Sequence, residues 1–222
     1  MKRVFIGVGH GGKDPGAVGI VKEAEANLNI ALEVRRILET NGVEVGISRT
    51  VDENDDINEE IREANAFKPD IAVEIHNNAG SGDGFEVYVQ TGVHAMKSRA
   101  CAQAIEKRVK AIGQGSRGIK TKSFGWTRLV NYPAVLLEGF FVDSKDAYDF
   151  DTVVKQKKLA LAYALGILDH LGITADLTED PELEQAKQVI ALKAGLAEHT
   201  IAYLQAYTWG DDLIKKLAKA MK

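Results

Sequence analysis

Several residues that could bind a metal ion stand at the ends of predicted elements. His10 follows the first predicted strand, and His76 follows a later one. Because ligands in open α/β sheets gather at the carboxyl ends of parallel strands, both imidazoles should open onto one edge of the sheet. Glu23 begins the first predicted helix near that edge and could supply a third ligand, although Glu25 is equally plausible on chemistry alone. A single histidine at a strand end is more often structural than a ligand, so the hypothesis rests on convergence.

Two histidines and one carboxylate leave a fourth tetrahedral position for water, which is the arrangement of catalytic rather than structural zinc. Glu138 closes an apolar predicted strand and should lie at the same edge, able to take a proton from that water. A carboxylate after Val135-Leu136-Leu137 is unfavourable unless it is paired. The sequence therefore predicts a Zn²⁺ site with a carboxylate beside it.

The glycine-rich loop around His10 also satisfies the G-x-G-x-x-G pattern of dinucleotide-binding folds. In such folds the helix starts within the glycine run, whereas Asp14-Pro15-Gly16 forces another turn first. The second strand should also end in an acidic residue, and this one ends in Ile47-Ser48-Arg49. A metal site explains the loop better than a nucleotide site.

The elements that must position these residues alternate between short β-branched runs and longer stretches of helical period. This alternation predicts an α/β fold with a mostly parallel, twisted sheet of about six strands flanked by helices. The predicted strands are Arg3–Val8, Val43–Ser48, Asp70–Ile75, Phe85–Gln90, Thr127–Val130 and Ala134–Glu138. A first helix carries Ile30, Val34, Ile37 and Leu38 on one face, and the later helices are Ile57–Phe67, Ala95–Ile112 and Asp146–Leu171. Residues 80–84 and 113–118 are predicted loops.

The sequence changes character after Gly172, where a short acidic linker precedes a segment of helical pattern. We therefore predict a catalytic domain over residues 1–174 and a small, all-helical C-terminal module of two or three helices over residues 175–222. Tyr203, Tyr207 and Trp209 could form an exposed aromatic contact there, or pack in the module's own core. Trp126 and Tyr132 present the same choice between lining a substrate groove and core packing.

Composition limits the classes of partner. The chain has 222 residues, 45% of them hydrophobic, and a net charge of -4, which argues against binding to nucleic acid or to an anionic membrane surface. We expect no nucleic-acid partner and no membrane insertion. Cys101 is the only cysteine, so a Cys-based zinc cage is excluded. The apolar run after Arg3 is too short for a signal peptide, which predicts synthesis in the cytoplasm without one.

Five ordered motifs resemble the zinc N-acetylmuramoyl-L-alanine amidases, the amidase-3 family. The motifs are Gly9-His10-Gly11-Gly12-x-Asp14-Pro15-Gly16-Ala17-x-Gly19 with Glu23 and Asn27-Leu28-x-Ile30-Ala31, Arg62-x-x-x-Asn65, Ile75-His76-Asn77-Asn78-Ala79, Arg117-Gly118-Ile119-Lys120, and Pro133-Ala134-Val135-Leu136-Leu137-Glu138. The resemblance as a whole covers roughly residues 3–171. The family usually has x-Gly-Phe after the catalytic glutamate, whereas Gly139-Phe140-Phe141 stands here.

This resemblance implies that His10, Glu23 and His76 bind Zn²⁺, which favours Glu23 over Glu25, and that Glu138 is the catalytic residue. It also implies hydrolysis of the amide between N-acetylmuramic acid and L-alanine in bacterial peptidoglycan. The alternatives are a zinc peptidase that cuts stem peptides and a non-catalytic cell-wall-binding protein. We expect a phage-type endolysin that reaches the wall after release by a holin or by lysis, with a C-terminal module that targets the wall or forms a homo-oligomer.

Overall fold

The computed structural model describes residues 1–54, 56–178, 181–205 and 210–221. The chain forms two compact units, residues 1–175 and 176–222. The first unit contains β1 Arg3–Val8, α1 Glu23–Thr40, β2 Glu44–Ile47, α2 Ile57–Phe67, β3 Ile71–Asn78, β4 Phe85–Val89, α3 Ala95–Ala111, β5 Ser116–Thr121, α4 Gly125–Leu129, β6 Ala134–Phe141 and α5 Val153–Leu171, with short 3-10 helices at Gly92–His94 and Lys145–Asp149.

The six strands form one sheet in the order β2-β1-β3-β6-β4-β5. All neighbouring strands pair in parallel, except that β4 pairs antiparallel with β6. β1 and β3 are almost continuously buried because both faces of these strands are covered. The α/β class and the mostly parallel sheet are as predicted.

Two apolar clusters cover the two faces of the sheet. The larger one combines one face of the sheet with residues of α1, α3 and α5, including the predicted stripe of Ile30, Val34, Ile37 and Leu38 on α1. The smaller one packs Ile61 of α2 and Trp126 of α4 against Phe5, on the other face. The smaller cluster covers the half of its face nearer the amino ends of β1 and β3, which leaves the carboxyl ends open to the site.

One strand prediction and one loop prediction were wrong. Thr127–Val130 is not a strand: α4 occupies it, and Thr127 accepts a hydrogen bond from the backbone N–H of Phe124 at 3.2 Å. The sixth strand is instead β5, which overlaps the predicted loop at 113–118. β5 lies at the sheet edge with largely polar, partly exposed residues, so it lacks the apolar alternation that identifies inner strands.

The predicted helix Asp146–Leu171 is interrupted. Residues 145–149 form a 3-10 helix, and α5 starts after Thr152, whose side chain accepts a hydrogen bond from the backbone N–H of Lys155. A threonine in extended conformation at this position ends one helical segment and caps the next. Gly172, with φ of 72°, ends α5 where the sequence indicated a stop.

The second unit contains α6 Pro181–Ala194, α7 Glu198–Gln205 and α8 Gly210–Ala220. Its apolar cluster comprises Leu183, Ala186, Ile190, Ile201, Ile214 and Ala218. Tyr207 and Trp209 lie outside the described residues, as does the side chain of Tyr203, so the aromatic contact stays a prediction. Within the described part of the chain, every helix is too short or too polar to cross a lipid bilayer.

Candidate metal centre and active site

The carboxyl ends of three neighbouring strands and the start of α1 meet at one edge of the sheet. His10 lies two residues beyond β1, and His76 lies in β3 directly opposite Glu138 of β6. Glu23 is the first residue of α1. Strands β3 and β6 each extend a few residues beyond their predicted ends, because they continue to pair after an irregularity that follows His76. The four predicted site residues are therefore together at the predicted edge.

Both imidazoles converge on one oxygen of Glu23. His76 Nδ1 lies 3.0 Å and His10 Nε2 lies 3.3 Å from Glu23 Oε1. One ligand atom from each of the three residues lies within 4.8 Å of the others, a spacing that one metal ion can bridge. Glu25, the other candidate, is exposed on α1.

The second nitrogen of each imidazole faces a further carboxylate. His10 Nδ1 is 2.8 Å from Asp14 Oδ2, and His76 Nε2 is 3.2 Å from Glu74 Oε1. Histidines that bind metals usually hold an acceptor on the nitrogen that does not bind the metal, and this contact fixes the ring orientation. The donor set and its outer carboxylates therefore fit Zn²⁺.

Electrostatics keep the central carboxylate ionised. Burial acts to raise the pKa of Glu23, but hydrogen bonds with His10 and His76 outweigh it and hold that pKa well below its usual range. The hydrogen bond to Glu23 raises the pKa of His10. Glu23 Oε2 accepts a hydrogen bond from the backbone N–H of Ala17 at 2.9 Å, so the carboxylate is held at both oxygens.

At two positions of the loop, only glycine fits, because the side chains of the site lie close to the backbone. A Cβ at Gly9 would lie 2.2 Å from the His76 ring, and one at Gly16 would lie 2.7 Å from both Glu23 Oε2 and the His10 ring. Gly16 also has φ of 63°, which side chains disfavour. The glycine-rich loop thus packs against the site residues themselves.

Two buried polar residues, Arg49 and Asn27, hold the loop in place, and neither role was predicted from the sequence. Arg49 is buried and donates hydrogen bonds to the carbonyl oxygens of Val8, Gly9 and Ala24. Asn27 donates to the Gly9 carbonyl and accepts from Asn77 Nδ2 at 2.7 Å. Asn27 and Asn77 stand within the family motifs, but nothing local to them or to Arg49 indicates their role, because their partners are distant in the chain.

Glu138 differs in its environment from Glu23. Burial raises the pKa of Glu138 to about 7, which the neighbouring His76 opposes and Glu23 reinforces. Its Oε2 is buried and has no hydrogen-bond partner among the described residues. A carboxyl group that titrates near neutral pH can both accept and donate a proton.

An open cleft of about 370 Å³ gives access to these groups. Its lining consists of His10, Ala17, Glu23, His76, Asn77, Asn78, Ala79, Phe124, Leu136 and Glu138. Trp126 does not line it: this residue is buried in the smaller apolar cluster and donates a hydrogen bond to the Val135 carbonyl, and Tyr132 packs against the same cluster. Phe124 is the aromatic residue that the sequence analysis missed.

The chain was compared with known proteins. The sequence profile of the Amidase_3 family, described as N-acetylmuramoyl-L-alanine amidase, matches residues 4–169. The chain belongs to this family. The sporulation-specific N-acetylmuramoyl-L-alanine amidase of Bacillus subtilis is 36% identical over 171 residues, which cover 75% of this chain and 67% of that amidase.

Two further relatives share the amidase fold or sequence. The endolysin of Bacillus phage SPP1 is 38% identical over 154 residues, which cover 65% of this chain and 56% of the endolysin. The catalytic domain of CwlV, an N-acetylmuramoyl-L-alanine amidase from Bacillus (Paenibacillus) polymyxa var. colistinus, matches with a TM-score of 0.73 and 33% identity, covering 78% of this chain and 100% of that domain.

Family membership confirms the predicted enzyme class. The amidase hydrolyses the bond between N-acetylmuramic acid and L-alanine in peptidoglycan, and its fold is that of amidase catalytic domains. These comparisons favour the amidase over a stem-peptide peptidase or a non-catalytic wall-binding protein. The roles of the individual site residues stay predictions.

Proposed function

We propose that His10, Glu23 and His76 bind one Zn²⁺ and that Glu138 transfers the proton during hydrolysis of the muramoyl amide. The observation that carries this proposal is the convergence of both imidazoles on Glu23 Oε1, with Glu138 on the same sheet edge opposite His76. Zn²⁺ held there would supply a Lewis acid that polarises the scissile carbonyl and makes water nucleophilic near neutral pH.

The protein's own groups then move the proton. Glu138 accepts a proton from the attacking water, because its carboxyl group titrates near pH 7 and Oε2 is not committed to another hydrogen bond in the described part of the chain. The same carboxyl group then donates the proton to the departing amine of L-alanine. Glu23 cannot take this role, since its pKa is held far lower.

Zinc content and wall hydrolysis test the ligand set. His10→Ala and His76→Ala should each lose zinc and activity, because loss of one of three protein ligands dismantles the site. Glu25→Gln is the matched control: it removes an exposed carboxylate from the same turn of α1 and should keep both. Stoichiometric zinc in both histidine variants would overturn the assignment.

We infer further that the amidase acts as an endolysin, made in the bacterial cytoplasm and released by a holin or by lysis, and that residues 176–222 target the wall or mediate self-association. The likeness to the SPP1 phage endolysin supports the first role. The separate apolar cluster of α6, α7 and α8 supports the second, because a small helical unit with its own core can present a binding surface.

A further inference from the structure

A group of cations lies on the site face of the sheet, beyond Glu138. Glu138 of β6 pairs with Glu86 of β4, and β4 pairs with β5, which carries Arg117 and Lys120. Neighbouring strands are about 4.8 Å apart, so the backbones of β4 and β5 lie about 5 and 10 Å beyond that of β6 at Glu138. Across the sheet from β3 to β5, the proposed metal ligand His76 is thus followed by the proposed proton carrier Glu138 and then by the cations of β5.

Arg117 and Lys120 are both held by one carboxylate, that of Glu86. Lys120 Nζ lies 2.7 Å from Glu86 Oε1, and Arg117 Nε donates a hydrogen bond to the same oxygen. The Glu86 side chain is 4% exposed, whereas those of Arg117 and Lys120 are 45% and 36% exposed. One buried carboxylate therefore holds two cations that are themselves partly exposed to solvent.

Two aromatic residues, Phe124 and Tyr88, lie between the cleft and this group. Phe124 lines the cleft and contacts the Tyr88 ring at a centroid distance of 5.0 Å. Tyr88 donates a hydrogen bond to Glu86 and pairs with Lys120 across the strands. Lys122 adds a third cation, with Nζ 4.5 Å from the centre of the Phe124 ring. Phe124 and Tyr88 thus connect the cleft with the cations.

If the proposed function holds, this order of side chains across the sheet also sets the direction in which the substrate lies. The scissile carbonyl belongs to the sugar side and lies at the metal ligands, while the departing amine belongs to the peptide and lies at Glu138. Continuing in this direction, the peptide passes over Glu86 toward β5. An extended chain advances about 3.3 Å per residue, so its second or third residue reaches the cations.

We propose that Arg117 and Lys120 form an anion subsite that binds a carboxylate on the second or third residue of the stem peptide. The amidase then prefers stem peptides with free carboxylates at these residues over amidated ones. Glu86 acts as the positioning residue, because it fixes both cations through one oxygen.

The test uses zinc-loaded full-length protein and two muramoyl tripeptides that differ only in whether the carboxyl groups of residues two and three are free or amidated. We expect kcat/KM to be about tenfold higher for the free form, as one charge-assisted hydrogen bond provides. Lys120→Met should reduce that ratio to near one. Lys158→Met is the matched control, since Lys158 is an exposed lysine of α5, against the opposite sheet face, and should keep the ratio.

Four outcomes discriminate. Equal kcat/KM for both tripeptides in the unmodified protein overturns the subsite while leaving the amidase mechanism intact, whereas hydrolysis of neither overturns the proposed function as well. If Lys120→Met folds poorly, the double variant Lys120→Met/Glu86→Gln removes one positive and one negative charge and so restores the net charge of the group. It must then show the same loss of preference for the free-carboxylate tripeptide. Weaker binding of Lys120→Met to anionic wall polymer with an unchanged ratio assigns the cations to adhesion and also overturns the subsite.

Discussion

At the scale of single residues, two carboxylates in one cleft have opposite properties because their partners differ. Glu23 faces two imidazoles and a backbone N–H, which stabilise its charge. Glu138 is largely shielded from solvent, and its buried Oε2 has no hydrogen-bond partner among the described residues, so burial destabilises its charge and raises its pKa to about 7. A ligand and a proton carrier need these two states respectively.

The role of Glu138 predicts the behaviour of its amide. Glu138→Gln should keep the fold and the zinc yet lower wall hydrolysis by at least about 10²-fold, because the near-isosteric amide cannot accept a proton. Turnover on purified walls and zinc analysis of the same sample measure both quantities. Near-normal turnover would move proton transfer to another residue.

The outer carboxylate of His10 predicts a change in metal affinity. Asp14→Ala should weaken zinc binding by about 10–100-fold in chelator competition, because the His10 ring loses the acceptor that orients it. Asp52→Ala is the control, since Asp52 accepts a hydrogen bond from the Gly12 backbone in the same loop without contacting an imidazole. Equal affinities of both variants would show that Asp14 only shapes the loop.

At the scale of elements, the helices begin where side chains satisfy their free N–H groups. Asp56 caps α2 by accepting hydrogen bonds from the backbone N–H groups of Asn58 and Glu59, at 2.9 and 3.2 Å. These bonds lower the pKa of Asp56. The stability that they provide is therefore present above the usual carboxyl pKa and is lost as the pH falls through the lowered value.

This cap predicts a pH-dependent stability difference. Asp56→Ala should lower Tm by about 2–4 °C at pH 7. The difference from the unmodified protein should shrink as the pH falls below about 4, where the carboxyl group becomes protonated. Asp56→Asn retains an accepting oxygen and should lose little at pH 7. Thermal unfolding of the three proteins across this range measures the effect, and a difference between Asp56→Ala and the unmodified protein that does not change with pH would contradict it.

At the scale of the whole molecule, every proposed site residue belongs to the unit of residues 1–175. Ile173 and Ala175 pack against its larger apolar cluster, so a boundary at residue 174 would remove one contact of that unit. The second unit has an apolar cluster of its own.

This division predicts that the amidase survives truncation. A chain ending at residue 176 should stay folded, bind zinc and hydrolyse soluble muropeptides with kcat/KM within about twofold of the full chain, since ligand geometry is set within the first unit. Binding to intact walls or self-association should fall. Sedimentation with walls and light scattering compare the two proteins, and equal wall binding with both monomeric would leave residues 176–222 neither role.

The sequence alone predicted the α/β class, the inner strands and the positions of His10, Glu23, His76 and Glu138 at one sheet edge. Inner strands are buried on both faces, so their apolar runs are unambiguous, and parallel strands bring their carboxyl ends to one side. The family motifs favoured Glu23 over Glu25 as the carboxylate ligand.

Only the tertiary structure decided the rest. It formed β5 from a polar segment because an edge strand needs hydrogen-bond partners more than apolar side chains. It turned Thr127–Val130 into a helix that buries Trp126. It also brought Arg49 and Asn27 to the loop that holds His10, and the Arg117–Lys120 group close to the Tyr88–Phe124 pair beside the cleft. These contacts join residues far apart in the chain, and local pattern carries no information about them.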